Sequence, residues 1–224
     1  MPQQGPQESI FAGESWSQLV GLLERLPRPV KIVVWAAEDG GRFEREAVHL
    51  GRSLAQRFEV VHFERRERVP IHRHYPVIGF MGLDEQGEDV DFGVRIVGLP
   101  AGYQINSMVG AIQAVSFRAS NLEGLTRIQL SRLPGDAKVD LELFTSAENE
   151  GGALVATLAA GLAVASPQVR AFVVMADVFP DIATHYSVRN LPHTVINGRV
   201  HVEGLLDEEA MLKQIARAVR KNGG

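Results

Sequence analysis

The sequence has 224 residues, 45% of them hydrophobic and 22% charged, with a formal net charge of -4. That is enough apolar mass for one large core or two small ones, with neither the basic excess of a nucleic-acid binder nor a long acidic tract. It contains no cysteine, which excludes disulfides, thiolate nucleophiles, Cys-ligated zinc and iron–sulfur clusters.

Residues 1–8 carry neither the basic stretch nor the apolar run of a signal peptide. The most apolar helical run, residues 153–165, is short and rich in Ala and Gly for a bilayer span. The expectation is a cytoplasmic protein with no membrane and no nucleic-acid partner.

The elements in chain order form one pattern written twice. The first copy opens with a helix over residues 14–26, with Trp16, Leu19, Leu22, Leu23 and Leu26 at helical spacing. A strand at 30–35, a polar turn at 36–42 and a helix carrying Phe43, Ala47, Leu50 and Leu54 follow. Next come a strand at 58–63 and a hairpin that starts after Pro76, turns at 84–87 and returns over 92–97. A Gly98-Leu99 pair then precedes a helix near 103–115.

The second copy repeats the order. A helix begins near Leu122, a strand alternates with period two over 139–144, and a polar turn at 145–152 enters the apolar helix. A strand at 169–174 and a hairpin after Pro192 follow. The hairpin turns at Asn197-Gly198, a strong two-residue signal. A Gly204-Leu205 pair precedes the last helix, 207–221. The order βαβ, hairpin, α implies a mixed sheet flanked by helices in each copy. The expected division is residues 1–118 and 119–224, and edge strands of the two sheets are free to pair between lobes or between chains.

This order, with a proline opening each hairpin, resembles tandem thioredoxin folds. The run Asp91-Phe-Gly-Val-Arg-Ile-Val-Gly-Leu-Pro-Ala-Gly102 and the strand end Phe144-Thr-Ser look like the glutaredoxin-like protein disulfide oxidoreductases. The resemblance covers about residues 14–220. It implies a Cys-x-x-Cys where each polar turn enters its helix, and the matching positions hold Gly41 to Glu44 and Asn149 to Gly152. Neither Gly, Asn nor Glu can attack sulfur, so dithiol chemistry is excluded by composition. Cysteines placed at 149 and 152 are expected to regain a low-pKa thiol, since a helix N-terminus favours negative charge. The resemblance also makes Pro76 and Pro192 cis-prolines. The implied peptide-binding faces are Tyr75 and Pro76 in the first copy and Leu191, Pro192 and His193 in the second.

Other residues carry weaker signals. Glu38, Asp39, Glu44, Glu148 and Glu150 read as complements to helix dipoles, and Asn149 as an N-cap. His72 and His74 alternate like a metal clip, although no third ligand is near and solvated loop histidines are the plainer reading. His193 follows the second proline and is placed facing the turn near Asn149. No cofactor is implied.

Three functional expectations remain. One is a redox-inactive binding module whose partner is an extended peptide or a protein, a redox protein among the candidates. Another is an enzyme using non-thiol chemistry in the second lobe, such as glutathione conjugation, through His193, Ser146, Glu148 or Glu150. A third reading rests on resemblance to the N-terminal region of the flavoprotein component of alkyl hydroperoxide reductase. It makes the chain a non-thiol component of a peroxide-reducing assembly.

Overall fold

The computed structural model describes residues 21–118 and 122–220. Most of the first expected helix and the expected 118/119 boundary therefore lie outside the described residues. Leu23 and Leu26, at the end of that helix, are buried.

The first half contains β1 (Val30–Trp35), α1 (Arg42–Arg57), β2 (Val61–Arg66), β3 (Val77–Leu83), β4 (Asp89–Val97) and α2 (Gln104–Phe117). The second contains α3 (Gly124–Ser131), β5 (Val139–Thr145), α4 (Glu150–Ala165), β6 (Val169–Met175), α5 (Pro180–His185), β7 (His193–Ile196), β8 (Val200–Glu203) and α6 (Glu208–Arg220). Each half has the same ladder. β1 is parallel to β2 and antiparallel to β3, which pairs with β4. β5 is parallel to β6 and antiparallel to β7, which pairs with β8.

The two four-stranded units are not separate sheets. β4 pairs in parallel with β6, Val94 opposite Ala171 through Val97 opposite Val174. The result is one eight-stranded sheet in the order β2-β1-β3-β4-β6-β5-β7-β8. Edge pairing between the halves removes two of the four free edges that separate sheets would expose.

One face of the sheet carries a single apolar core running through both halves, from Leu23 and Leu50 to Met211 and Ile215. On this face α2 and α4 approach closely. A Cβ on Gly110 would lie 2.4 Å from Thr157 Oγ1 and 3.1 Å from its Cβ. The opposite face has two small clusters. Phe144, Val174 and Val195 lie under Ile182, Ala183 and Tyr186 of the α5 region. Val33, Trp35, Val77 and Met81 lie instead under coil, with Val69 and Tyr75 packed on them. The expected helix cover on both faces is thus met only in the second half.

β2 begins three residues later than its apolar run suggests. Phe58 forms the C-cap of α1, and its amide donates to the carbonyl of Leu54. Its ring is buried there, 4% exposed. The strand proper carries charges because it is an edge. Lys31 and Arg66 bridge Glu64 and Asp89 across three strands.

The α2–α4 crossing yields a direct test. Gly110→Ala gains up to about 1 kcal/mol of helix propensity, but the added methyl meets a stiff β-branched neighbour, a clash worth about 1–3 kcal/mol. A lowered thermal midpoint is expected, partly restored by Thr157→Ala in the double variant. Additive effects of the two changes would show that the helices do not touch there.

Candidate functional site

The two turns that enter α1 and α4 occupy equivalent places. The register sets Trp35 opposite Val77 and Phe144 opposite His193. Each strand end, Ala36 or Thr145, therefore lies beside a proline, Pro76 or Pro192. Both Tyr75–Pro76 and Leu191–Pro192 are cis. Both proline carbonyls accept a hydrogen bond at 2.8 Å, from the amides of Gly98 and Gly204. These glycines have φ of +105° and +86°, a region other residues rarely adopt. The repeated Gly-Leu pair thus closes the proline loop in each half.

The positions matched across the two turns are equivalent in the helices as well. Gly41 is the N-cap of α1 and Glu44 its N3 residue. Asn149 is the N-cap of α4, which makes Gly152 its N3. A helix start leaves amide N–H groups unpaired, and the two halves satisfy them differently.

In the first half Glu44 does this. It is 4% exposed. Its carboxylate accepts from the amides of Ala37 at 2.9 Å and Gly41 at 3.0 Å, and from Arg68 Nε at 2.9 Å. A second Arg68 nitrogen bonds its other oxygen. Hydrogen bonding from Arg68, and then from the two amides, holds the Glu44 carboxyl below the usual carboxylate range despite its burial. Gly40 is needed because a Cβ there would fall 2.6 Å from the Glu44 carboxylate.

Arg68 belongs to a coil strap that seals this face. Its guanidinium lies 5.2 Å from the centre of the Tyr75 ring. The Tyr75 hydroxyl accepts from the Val69 amide at 2.8 Å and donates to the Val69 carbonyl. His72 packs edge-on to Trp35 and Tyr75. His74 turns to the second half, with Nε2 2.7 Å from Asp181 Oδ2 and its ring against Phe179. The metal-clip reading is not supported: the two rings pack in different places, and no group able to hold a metal occurs among the described residues.

In the second half Asn149 Oδ1 accepts from the Gly152 amide at 2.5 Å. No side chain fits at Gly152, where a Cβ would lie 1.9 Å from Thr145 Oγ1 and 2.7 Å from its Cβ. Thr145 is fully buried. The expectation that a cysteine at 152 restores a reactive thiol is thereby corrected, because the strand end already fills that volume. The turn is braced from the first half. The Gln104 amide donates to the Ser146 carbonyl at 3.0 Å and the Asn149 carbonyl at 2.8 Å, and its oxygen accepts from Ser107 at 2.6 Å. Gln104 is fully buried. Sequence reasoning missed it; a lone Gln opening an apolar helix was the available signal.

His193 does not face Asn149. It shares the sheet side of Phe144 and Val195, under α5, whereas α4 packs on the other side. It is 3% exposed, and Nε2 sits 3.1 Å from His201 Nδ1. Burial, and next the neighbouring His201, pushes its pKa down. The set His193, Ser146, Glu148 and Glu150 is therefore not assembled into one site.

The halves also differ in exposure. Leu99, after the first glycine, is 6% exposed, while Leu205, after the second, is 66% exposed. Leu205 lies over Gly151, with Cδ2 2.8 Å from a would-be Cβ there. The halves do not differ in the backbone before the proline: among the described residues, neither Tyr75 nor Leu191 makes a hydrogen bond through its N–H or C=O.

Three changes test these assignments. Glu44→Gln should lower stability at pH 7 by about 2 kcal/mol, the scale for hydrogen bonds to a charged group, because the amides and Arg68 then meet a neutral acceptor. The depressed carboxyl contributes stability above its unfolded pKa of about 4.3 that is lost as pH falls through the folded value. The gap between wild type and variant in denaturant midpoint should therefore narrow below about pH 4. Gly152→Ala should destabilise by about 1–3 kcal/mol, and Gly41→Ala, whose position is open, should have a smaller effect in the same melt.

A family model described as a thioredoxin domain matches residues 156–217. The chain is 25% identical over 199 residues to the F subunit of alkyl hydroperoxide reductase of Pseudomonas putida, covering 89% of this chain and 36% of that protein. It thus spans about a third of the length of the curated relatives it matches. The structure is similar to a domain of alkylhydroperoxide reductase AhpF from Enterococcus faecalis, with TM-score 0.81, 19% identity and coverage of 91% of this chain and 99% of that one. It is equally similar to a protein disulfide oxidoreductase from Aeropyrum pernix, with TM-score 0.81, 22% identity and coverage of 93% and 94%. The fold is thioredoxin-like, and the expected resemblance to disulfide oxidoreductases holds at that level.

Proposed function

We propose that the protein is a redox-inactive binding module that holds an extended peptide segment of a partner protein at the Leu191–Pro192 face. The observation that carries this reading is the asymmetry of the two faces. The Tyr75–Pro76 face is covered by the chain's own Arg68, with Glu44 filling the helix start. Tyr75 and Leu191 both leave their backbone N–H and C=O unpaired among the described residues, but only Leu191–Pro192 lies next to an uncovered leucine, Leu205, whose counterpart Leu99 is buried. Unpaired strand-like backbone recruits an extended peptide through main-chain hydrogen bonds, and a neighbouring apolar side chain gives it preference.

Without sulfur the face lacks the nucleophile of thiol exchange. Binding is what its remaining groups can do. The likeness to the F subunit of alkyl hydroperoxide reductase supports a partner drawn from a peroxide-reducing assembly. The enzymatic alternative loses His193, which lies on the α5 side of the sheet, and keeps only Ser146, Glu148 and Glu150 as candidates.

A peptide array of ten-residue extended segments provides the test. Binders should lose at least tenfold in affinity when N-methylated at alternate residues along one edge, and keep it when methylated along the other. Leu205→Arg should weaken the same binders at least tenfold while leaving the melt unchanged. Failure of every peptide to bind, or indifference to both N-methylation and Leu205→Arg, would overturn the reading.

A further inference from the structure

A second surface lies away from the proline face and independent of that reading. α2 and α4, with Leu122 and Glu123 just ahead of α3 and Leu206, Asp207, Glu208 and Glu209 at the entry to α6, border an open groove of about 710 Å³. Apolar side chains stand along both helical walls, Ala114 and Phe117 from one helix and Leu154 and Leu158 from the other, interleaved with the polar Gln113 and Thr157. Phe117 is 46% exposed and Leu154 65% exposed, so two large apolar side chains stand in water along one cleft. Isolated exposed leucines are ordinary, but apolar groups gathered in a concave site signal a partner.

The chemistry of the rim selects that partner. Glu123, Asp207, Glu208 and Glu209 line one end, and no Lys or Arg is among the lining residues. The start of α6 contributes only about half a positive charge to set against four carboxylates. Two of the four also serve the fold, since Asp207 accepts from the Ala210 amide and Glu208 from the Glu123 amide. Among the described residues, the Glu123 and Glu209 side chains make no such bond to the backbone and leave the mouth negative.

Both walls are helices whose backbone groups are already paired. An occupant therefore finds no main-chain partner and must satisfy its own backbone, which a helix does. From Gly110 to Phe117 the groove runs about 10 Å, or two helical turns. We propose that this groove docks a short basic amphipathic helix of another protein, its apolar stripe against Phe117 and Leu154 and its Lys or Arg side chains at Glu123 and Glu209. The chain's own residues 1–20 suit the site poorly, because they hold Glu8 and Glu14 and no Lys or Arg.

The probe is a 14-residue Leu/Lys amphipathic helical peptide, compared with a Leu/Glu peptide of the same pattern by fluorescence anisotropy on the full chain. The Leu/Lys peptide should bind at least tenfold more tightly. Leu154→Ser, and separately Glu123→Lys with Glu209→Lys, should each weaken it at least tenfold with folding intact by circular dichroism. A control reversal far from the groove, Glu38→Lys with Asp39→Lys, should change affinity less than threefold. Equal loss in the control would show bulk charge attraction and overturn the proposal. So would no binding by the full chain, as expected if residues 1–20 fill the groove, or a self-association in sedimentation that Leu154→Ser abolishes.

Discussion

The start of a helix at the end of a buried strand leaves amide N–H groups that something must accept, and this chain meets the demand twice without sulfur. In the first half a buried carboxylate, Glu44, takes two amides and an arginine. In the second a capping Asn149 takes one amide, while Thr145 fills the space beside it. The two solutions differ in what they leave outside. Glu44 needs Arg68 as a counter-charge, and Arg68 brings its strap down over Tyr75. Asn149 is neutral and needs no such counter-charge; the second turn is held from the segment after β6 by Asp177, which accepts from the Ala147 amide at 3.2 Å.

Continuity of the sheet makes the two turns parts of one object. β4 and β6 pair in register, and the start of α2 therefore reaches the second turn. Gly102, at φ +54°, brings its backbone against Ala147, where a Cβ would lie 2.3 Å from the carbonyl oxygen. Gln104 then fixes the Ser146 and Asn149 carbonyls. The first half thus acts as a brace for the second.

Much of this was legible in the sequence. Period-two runs such as residues 139–144 gave strands because their alternate positions face the core, and the paired Pro and Gly-Leu signals located both proline loops. The joining of the sheets was open in the sequence, because a run such as 92–97 looks the same whether its outer edge is solvated or paired. The strand at 61–66 was displaced because Phe58 serves the helix end as well as a strand would use it. α5 was missed because six residues carry too little periodicity. His193 was misplaced because sequence position beside a proline does not say which side of a sheet a side chain takes; only the register with Phe144 does. Glu44 was named at its place in the turn, but its bond to Arg68 spans 24 positions, a distance no local pattern reports.

The account stands on the second proline face being the open one. Amide hydrogen exchange on the full chain, with and without a saturating extended peptide, measures this directly. Protection should rise at residues 190–193 and 203–206 and stay unchanged at 74–77 and 98–99. Protection confined to the first face, or spread equally over both, would contradict it.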